Sequence, residues 1–177
     1  MTLSNAFSEK VFSEEDSLVP REELVVENTA PPVQELIQEL VTLCSILDKL
    51  YTQSHLIHIN VEGPLFFPLH EFFKEQYEKH VEYFDKLAET IRSMDYLLPM
   101  CEKGLSEKCE GFQHVKSYDA REMCITYNTN LTNAAMTTKY IVKTSQQIEA
   151  PDVENLLADI AHFLFKSSWM LKATLRS

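Results

Sequence analysis

The sequence predicts an all-α protein, a four-helix bundle with a long connection between its second and third helices. Only 3 of the 177 residues are glycine, which disfavours the frequent turns of a strand-rich fold. Four long stretches repeat apolar side chains at the three-and-four spacing of an amphipathic helix. Four such helices with one longer connection are typical of a bundle.

The first predicted helix follows an acidic segment. Residues 1–31 carry seven acidic side chains against two basic ones and show little periodicity, so we expect a flexible N-terminal arm. Pro31 and Pro32 are well placed to open a helix, because proline is tolerated in the first turn. The apolar stripe then runs from Val33 to near Ile59, and we expect the bundle to occupy residues 32–177.

The other three helices follow from similar signals. The second stripe starts at Leu69, includes Val81 and ends around Leu97, before Pro99, and residues 99–118 form a connection that could hold a short helix. Ser117 or Asp119 can cap the third helix, which runs to about residue 147. The fourth begins at residue 151 and ends near residue 174. We expect Trp169 and the aromatic residues of the second helix to lie in the core.

Composition excludes several classes of function. A net charge of −11 argues against a surface built for nucleic-acid phosphate, and the arm is acidic, so we predict no tight DNA binding. No run approaches 18 apolar residues, so we expect no membrane span. The N-terminus lacks a basic start followed by an apolar stretch, and the four cysteines form no close pair. We therefore expect a cytoplasmic protein with free thiols.

Histidines and acids in two neighbouring segments form the candidate site. His55, His58 and His70 surround the turn "NVEGPLFFP", and Asp85 and Glu89 lie one helical turn apart further along the second helix. One cation could touch both carboxylates. The simpler alternative is a solvated acidic face, but apolar residues crowd this side of the helix.

These groups cannot bind one metal ion within a single chain. His70 and Asp85 are fifteen residues apart, which is roughly 22 Å along a helix, although they point in directions only about 60° apart. If two copies of the second helix pack antiparallel about a two-fold axis, His70 of one subunit meets Asp85 and Glu89 of the other. An intrachain di-iron site is not expected, because no histidine follows a glutamate by three residues.

The segment "HLIHINVEGPLFFPLHEFFKEQYEKHVEYFDKLAETIR" resembles the motif of the Dps family (DNA-binding protein from starved cells), the mini-ferritins of the ferritin-like superfamily. The resemblance extends over about residues 33–177. Nine positions carry the motif: His58, Asn60, Gly63, Phe66, His70, Phe73, Asp85, Ala88 and Glu89.

The resemblance implies a ferritin-like fold and a ferroxidase. Fe(II) would bind at two-fold interfaces of a twelve-subunit cytoplasmic shell, be oxidised by peroxide or dioxygen and be stored as ferric mineral, which protects against oxidative stress. It implies His58 and His70 as catalytic metal ligands from one subunit, with Asp85 and Glu89 from its partner. Imidazole and carboxylate suit iron, and zinc is a possible competitor.

Three further residues could support the site. Many Dps proteins have an acid one turn after the second histidine, where this chain has Lys74, so the site could hold only one tight metal or recruit another ligand. His55 could shape the surroundings of His58, and His162 could supply an extra ligand, although either could be a packed or surface histidine. We expect His80 at the surface.

Acids near the start of the fourth helix could steer cations. The resemblance places Glu149, Asp152, Glu154 and Asp159 around three-fold pores through which iron would enter, although the same acids could simply complement the helix dipole.

The sequence also allows two different functions. One is a non-catalytic cage of the same architecture, acting in metal buffering or as a structural assembly. The second is a helical interaction module unrelated to metal, which would make the nine matching motif positions accidental. Separately, Cys101, Cys109 and His114 could form a zinc site, although an eight-residue step between cysteines is atypical of zinc sites.

Overall fold

The computed structural model describes residues 31–176, and the predicted acidic arm lies outside them apart from Pro31. Five helices are present in this range, and it contains no strand, which confirms the all-α prediction. Their bounds are α1 Pro31–Asn60, α2 Phe66–Ser93, α3 Glu102–Ser106, α4 Ala120–Gln147 and α5 Pro151–Leu175. The short α3 lies within the long connection.

The four long helices form two hairpins that pack into one bundle. α1 packs along α2, α4 packs along α5, and α1 joins the two hairpins through α4. The buried apolar side chains of all four helices form a single core. Residues on α1 such as Leu36, Leu40, Leu43, Leu47 and Leu50 are fully buried, as the helical stripe predicts.

Local chemistry explains where two of the helices begin. The Asp119 carboxylate accepts a hydrogen bond of 2.9 Å from the backbone N–H of Glu122 and so caps α4. At α5, Pro151 occupies the first turn, and Asp152 and Glu154 place negative charge beside the positive end of the helix dipole.

The turn between α1 and α2 positions the candidate site. Gly63 has φ of +98°, a conformation that side chains with a Cβ rarely adopt, and a Cβ added there would meet open space. Glycine is therefore needed for its backbone freedom rather than for its size. The Gly63 carbonyl accepts a hydrogen bond of 3.0 Å from the Phe66 N–H, which leads the chain into α2.

Four expectations from the sequence were wrong. α2 ends at Ser93 rather than near Leu97, because the backbone at Asp95 turns into the left-handed region with φ of 61°. His80 is fully buried, whereas Val81 is 47% exposed. Trp169 is 65% exposed and lies outside the core of the single chain.

None of the helices in residues 31–176 combines the length and apolar character needed to cross a membrane.

Candidate metal centre

His58 and His70 lie face to face across the α1–α2 turn. Their rings stack with centroids 3.8 Å apart and an interplanar angle of 25°. Nδ1 of His58 is 2.8 Å from the backbone oxygen of His70, and Nδ1 of His70 is 2.9 Å from the backbone oxygen of His58. The two residues are therefore joined by a reciprocal pair of hydrogen bonds.

These hydrogen bonds determine which ring nitrogens are free. A backbone carbonyl can only accept a hydrogen bond, so each Nδ1 must carry the proton and donate it. In the neutral imidazole the Nε2 atom then keeps its lone pair. Metal-ligating histidines commonly donate their other N–H to a carbonyl or carboxylate in this way. The pair therefore presents two Nε2 atoms as candidate ligands.

Aromatic rings support the pair. The Tyr77 ring meets the His58 ring edge-on, with centroids 5.3 Å apart, and the Phe66 ring lies 5.0 Å from that of His70. His55 packs against Tyr77 at 4.5 Å, and its ring centroid is 6.2 Å from that of His58. The structure thus places His55 beside the pair, in contact with the tyrosine that supports His58.

The two candidate carboxylates lie on the exposed side of α2. Asp85 and Glu89 are exposed, and neither forms an ion pair with another described residue. The neighbouring lysines are already engaged, because Lys79 and Lys86 bind Glu82 at 2.5 and 2.7 Å. Hydrogen bonds from these two lysines lower the pKa of Glu82 to about 2. Both candidate carboxylates therefore remain free to bind a cation.

The single chain does not bring the histidines and the carboxylates together. Within residues 31–176, no group of three or more His, Cys, Asp or Glu side chains could hold a metal ion. This covers His58 and His70 with Asp85 and Glu89, and also the zinc site considered at Cys101, Cys109 and His114. The chain by itself provides two separate halves of a site.

The bundle interior is polar at one level, but no Asp or Glu residue within 31–176 is fully buried. Nε2 of the buried His80 is 2.7 Å from the Tyr127 hydroxyl, which lies 3.5 Å from Oε1 of Gln76. Burial lowers the pKa of His80 to about 3, so the ring is neutral. The buried polar side chains of the described residues include no Asp or Glu. Carboxylate ligation of a metal inside one bundle therefore has no support here.

A heptad pattern could have identified His80 as a core residue. On α2 the buried positions alternate between steps of four and three as far as Leu87, and a further step of four reaches Ile91: Leu69, Phe73, Gln76, His80, Tyr83, Leu87 and Ile91. His80 and Gln76 stand in this register although they are polar. Hydrophobicity alone favours Val81 for the core, although it is His80 that is buried.

The remaining predicted residues lie at the surface. Lys74 is exposed on α2, four residues after His70, and lines a groove with the acids Glu71, Glu75 and Glu78. His162 is exposed on α5. The candidate pore acids Glu149, Asp152 and Asp159 are also exposed, whereas Glu154 is half-buried and accepts a hydrogen bond from Gln146.

The four cysteines are free thiols. Cys44 and Cys124 are buried, and burial raises the pKa of each thiol to about 12. These two thiols therefore stay protonated and are poor ligands or nucleophiles.

Comparison with known proteins gives consistent relatives. General stress protein 20U of Bacillus subtilis is 26% identical over 142 residues, covering 80% of this chain and 98% of that protein. DNA protection during starvation protein 2 of Bacillus anthracis is 28% identical over 137 residues, covering 71% and 86%. The crystal structure of a Dps protein from Bacillus brevis superposes with a TM-score of 0.79 at 25% identity, covering 84% and 99%.

A family model for the ferritin-like domain matches residues 37–177, which includes all four long helices and both halves of the candidate site. The motif around His58 and His70, the helix order and these relatives agree, and the chain belongs to the Dps branch of the ferritin-like family.

Proposed function

We propose that this protein is a Dps-type mini-ferritin that binds Fe(II) between subunits, oxidises it with peroxide or dioxygen, and stores the ferric product in a hollow shell. Membership of the ferritin-like family supports iron as the metal. The observation that carries the proposal is the reciprocal His58–His70 pair, which leaves two Nε2 atoms free beside each other.

The second half of each site comes from a neighbouring subunit. Antiparallel packing of two α2 helices about a two-fold axis brings Asp85 and Glu89 of one copy to the histidine pair of the other. The same contact forms twice, so each dimer holds two sites. Two imidazoles and two carboxylates then surround one cation, a ligand set that suits Fe(II) and also admits Zn²⁺ as a competitor.

The chemistry of the site is redox turnover of a bound substrate. Reduction of one hydrogen peroxide to two water molecules takes two electrons and two protons, and two Fe(II) ions supply the electrons. The Fe(III) formed binds hydroxide from water and leaves as mineral, releasing protons. The protein groups hold Fe(II) in place, and the carboxylates offset the charge that grows as iron is oxidised.

The assembly is a homo-oligomer, for which we propose twelve subunits. In the shell, four acids line the entry path and attract cations: Glu149, Asp152, Glu154 and Asp159. Asp152 and Glu154 also complement the dipole of α5, and this role needs no pore.

The free thiols fit a reducing cytoplasm. With a net charge of −11, the shell does not bind DNA tightly.

A second candidate is a cage that binds metal without oxidising it. Lys74, a cation one turn from His70, favours this function because it lowers the affinity for a further metal ion. Such a cage would buffer metal or serve a structural role.

Iron oxidation by the assembled protein decides between the two. Fe(II) is added anaerobically, peroxide follows, and the ferric absorbance is recorded for wild type and for Asp85→Ala. We expect the variant to lose at least tenfold in rate, since each bound metal loses one ligand. Glu110→Ala, which removes an exposed acid in the α3–α4 connection, is the matched control and should match wild type. Equal rates for wild type and Asp85→Ala would refute the ferroxidase.

A further inference from the structure

The stripe of α2 that carries His70 offers few metal ligands on either side of it. At about 100° per residue, Phe66 and Lys74 are the neighbours of His70 one turn before and one turn after, within about 40° of its direction. A phenyl ring has no donor atom for a metal, and an ammonium group has no lone pair. Neither of the two neighbours of His70 on this stripe can therefore ligate a second ion.

Lys74 is also free of the ion pairs that neutralise other lysines of the same helix. Glu82 binds both Lys79 and Lys86, whereas Lys74 forms no ion pair in the part of the chain that the structure describes. Its ammonium group is exposed in the isolated subunit and remains available for a group on another subunit.

The packing required by the metal site determines what Lys74 meets. His70 is taken to lie opposite Asp85 and Glu89 of a second copy. Because the two α2 helices are antiparallel, moving one residue towards the C-terminus of one helix corresponds to moving one residue towards the N-terminus of the other. Lys74, four residues after His70, then lies opposite residues 81–85 of the second copy. A lysine side chain spans the remaining distance, so the Lys74 ammonium group reaches the carboxylate of Asp85.

We propose that Lys74 restricts each site to one divalent metal ion, because its ammonium group occupies the position beside Asp85 that a second ion would need. This inference rests on the proposed inter-subunit site. Two imidazoles and two carboxylates satisfy one ion. A second ion would share the same carboxylates, gain no ligand from Phe66 or Lys74 and lie beside a fixed positive charge.

The same contact makes Lys74 a regulator of affinity for the first ion. In the metal-free assembly, Lys74 of one copy binds Asp85 of the other and keeps the two subunits in register. When the metal ion binds, it competes with the ammonium group for that carboxylate. Lys74 thereby weakens binding while holding the empty site in shape.

Anaerobic titration of the full-length assembled protein with Co²⁺ alone tests the proposal, with bound metal counted by equilibrium dialysis and elemental analysis. We expect one Co²⁺ per chain for wild type and two per chain for Lys74→Glu. The neutral Lys74→Gln should still bind one, with affinity higher on the order of tenfold. Lys139→Glu, an equal change of charge at an exposed site on α4, should resemble wild type.

The outcomes separate this proposal from the one on which it rests. Loss of Co²⁺ binding by both His70→Ala and Asp85→Ala would uphold the inter-subunit site, whereas unchanged binding by either variant would refute the site and the restriction together. Two Co²⁺ per chain in wild type, or one in Lys74→Glu, would overturn the role of Lys74 and leave the site intact. Size-exclusion profiles identify any variant that fails to assemble, and Lys74→Gln then decides by its affinity.

Discussion

At the scale of single residues, the histidine pair is organised by the backbone of its own hairpin. His58 and His70 each donate a hydrogen bond to the other's carbonyl, so both rings are fixed in tautomer and orientation before a metal ion arrives. Pre-organisation of this kind lowers the entropic cost of binding. The sequence indicates the two residues, but it cannot show that each one holds the other.

His80 gives the molecule a measurable sensitivity to acid. Its pKa is lowered from 6.5 to about 3 by burial, so the folded protein excludes a proton that the unfolded chain binds below pH 6.5. Above pH 6.5, His80 therefore does not affect the pH dependence of stability. As the pH falls from 6.5 to about 3, burial of His80 lowers the free energy of unfolding by at most about 1.4 kcal/mol per pH unit. We expect His80→Gln, which cannot titrate, to lose less stability than wild type between pH 7 and pH 5 in urea unfolding.

Tyr127→Phe is the matched control for this prediction. It removes the hydroxyl that lies 2.7 Å from His80 Nε2 but keeps the buried imidazole. Its stability at pH 7 should fall by about 1 kcal/mol for the lost hydrogen bond. Its sensitivity to acid should remain. If His80→Gln and wild type respond equally to acid, other groups determine the pH dependence.

At the scale of elements, the α1–α2 turn links backbone geometry to the proposed metal site. Gly63 has φ of +98°, so Gly63→Ala should cost about 1 kcal/mol or more of stability, measured by urea unfolding. Because strain in the turn shifts His58 relative to His70, we also expect weaker Co²⁺ binding. Gly111→Ala is the control, since Gly111 also has positive φ, 72°, but lies in the α3–α4 connection. It should lose stability and keep its metal affinity.

Helix positions were largely predictable because their signals are local. Asp119 as a cap and Pro151 in the first turn mark the starts of α4 and α5, and the structure places both as predicted. The end of α2 was missed because the break at Asp95 comes from a left-handed residue that is not glycine. The prediction placed Val81 in the core and His80 at the surface, and the structure shows the reverse. Hydrophobicity alone does not reveal a polar residue in a heptad core position.

The candidate site was less predictable than the fold. The motif spacing identifies His58, His70, Asp85 and Glu89, and the structure brings the first two together. The role of Asp85 and Glu89 depends on a second chain, about which the pattern of one sequence carries only indirect information. That pairing therefore stays a prediction.

At the scale of the whole molecule, the exposed apolar residues indicate where subunits meet. Val81 is 47% exposed on the same stripe of α2 as His70 and Asp85, and Phe67 beside the turn is 77% exposed. Large apolar side chains on one face of a soluble subunit mark contact surfaces. Trp169, expected in the core, is 65% exposed on α5 and belongs to the same class of residue.

The packing of α2 predicts that assembly and metal binding fail together. In the antiparallel arrangement the two-fold axis crosses α2 about midway between His70 and Glu89, so Val81 lies within roughly one turn of its own symmetry mate. Val81→Arg places two large cations close together across the axis, where burial in an interface disfavours them. We expect native mass spectrometry to show loss of the oligomer, and Co²⁺ binding to fall in parallel.

Met100→Arg makes the same kind of change at a side chain that is 97% exposed, and should preserve both the oligomer and Co²⁺ binding. If Val81→Arg disassembles but still binds Co²⁺ as wild type does, then the histidine pair binds metal without the partner's carboxylates, and the inter-subunit site is wrong.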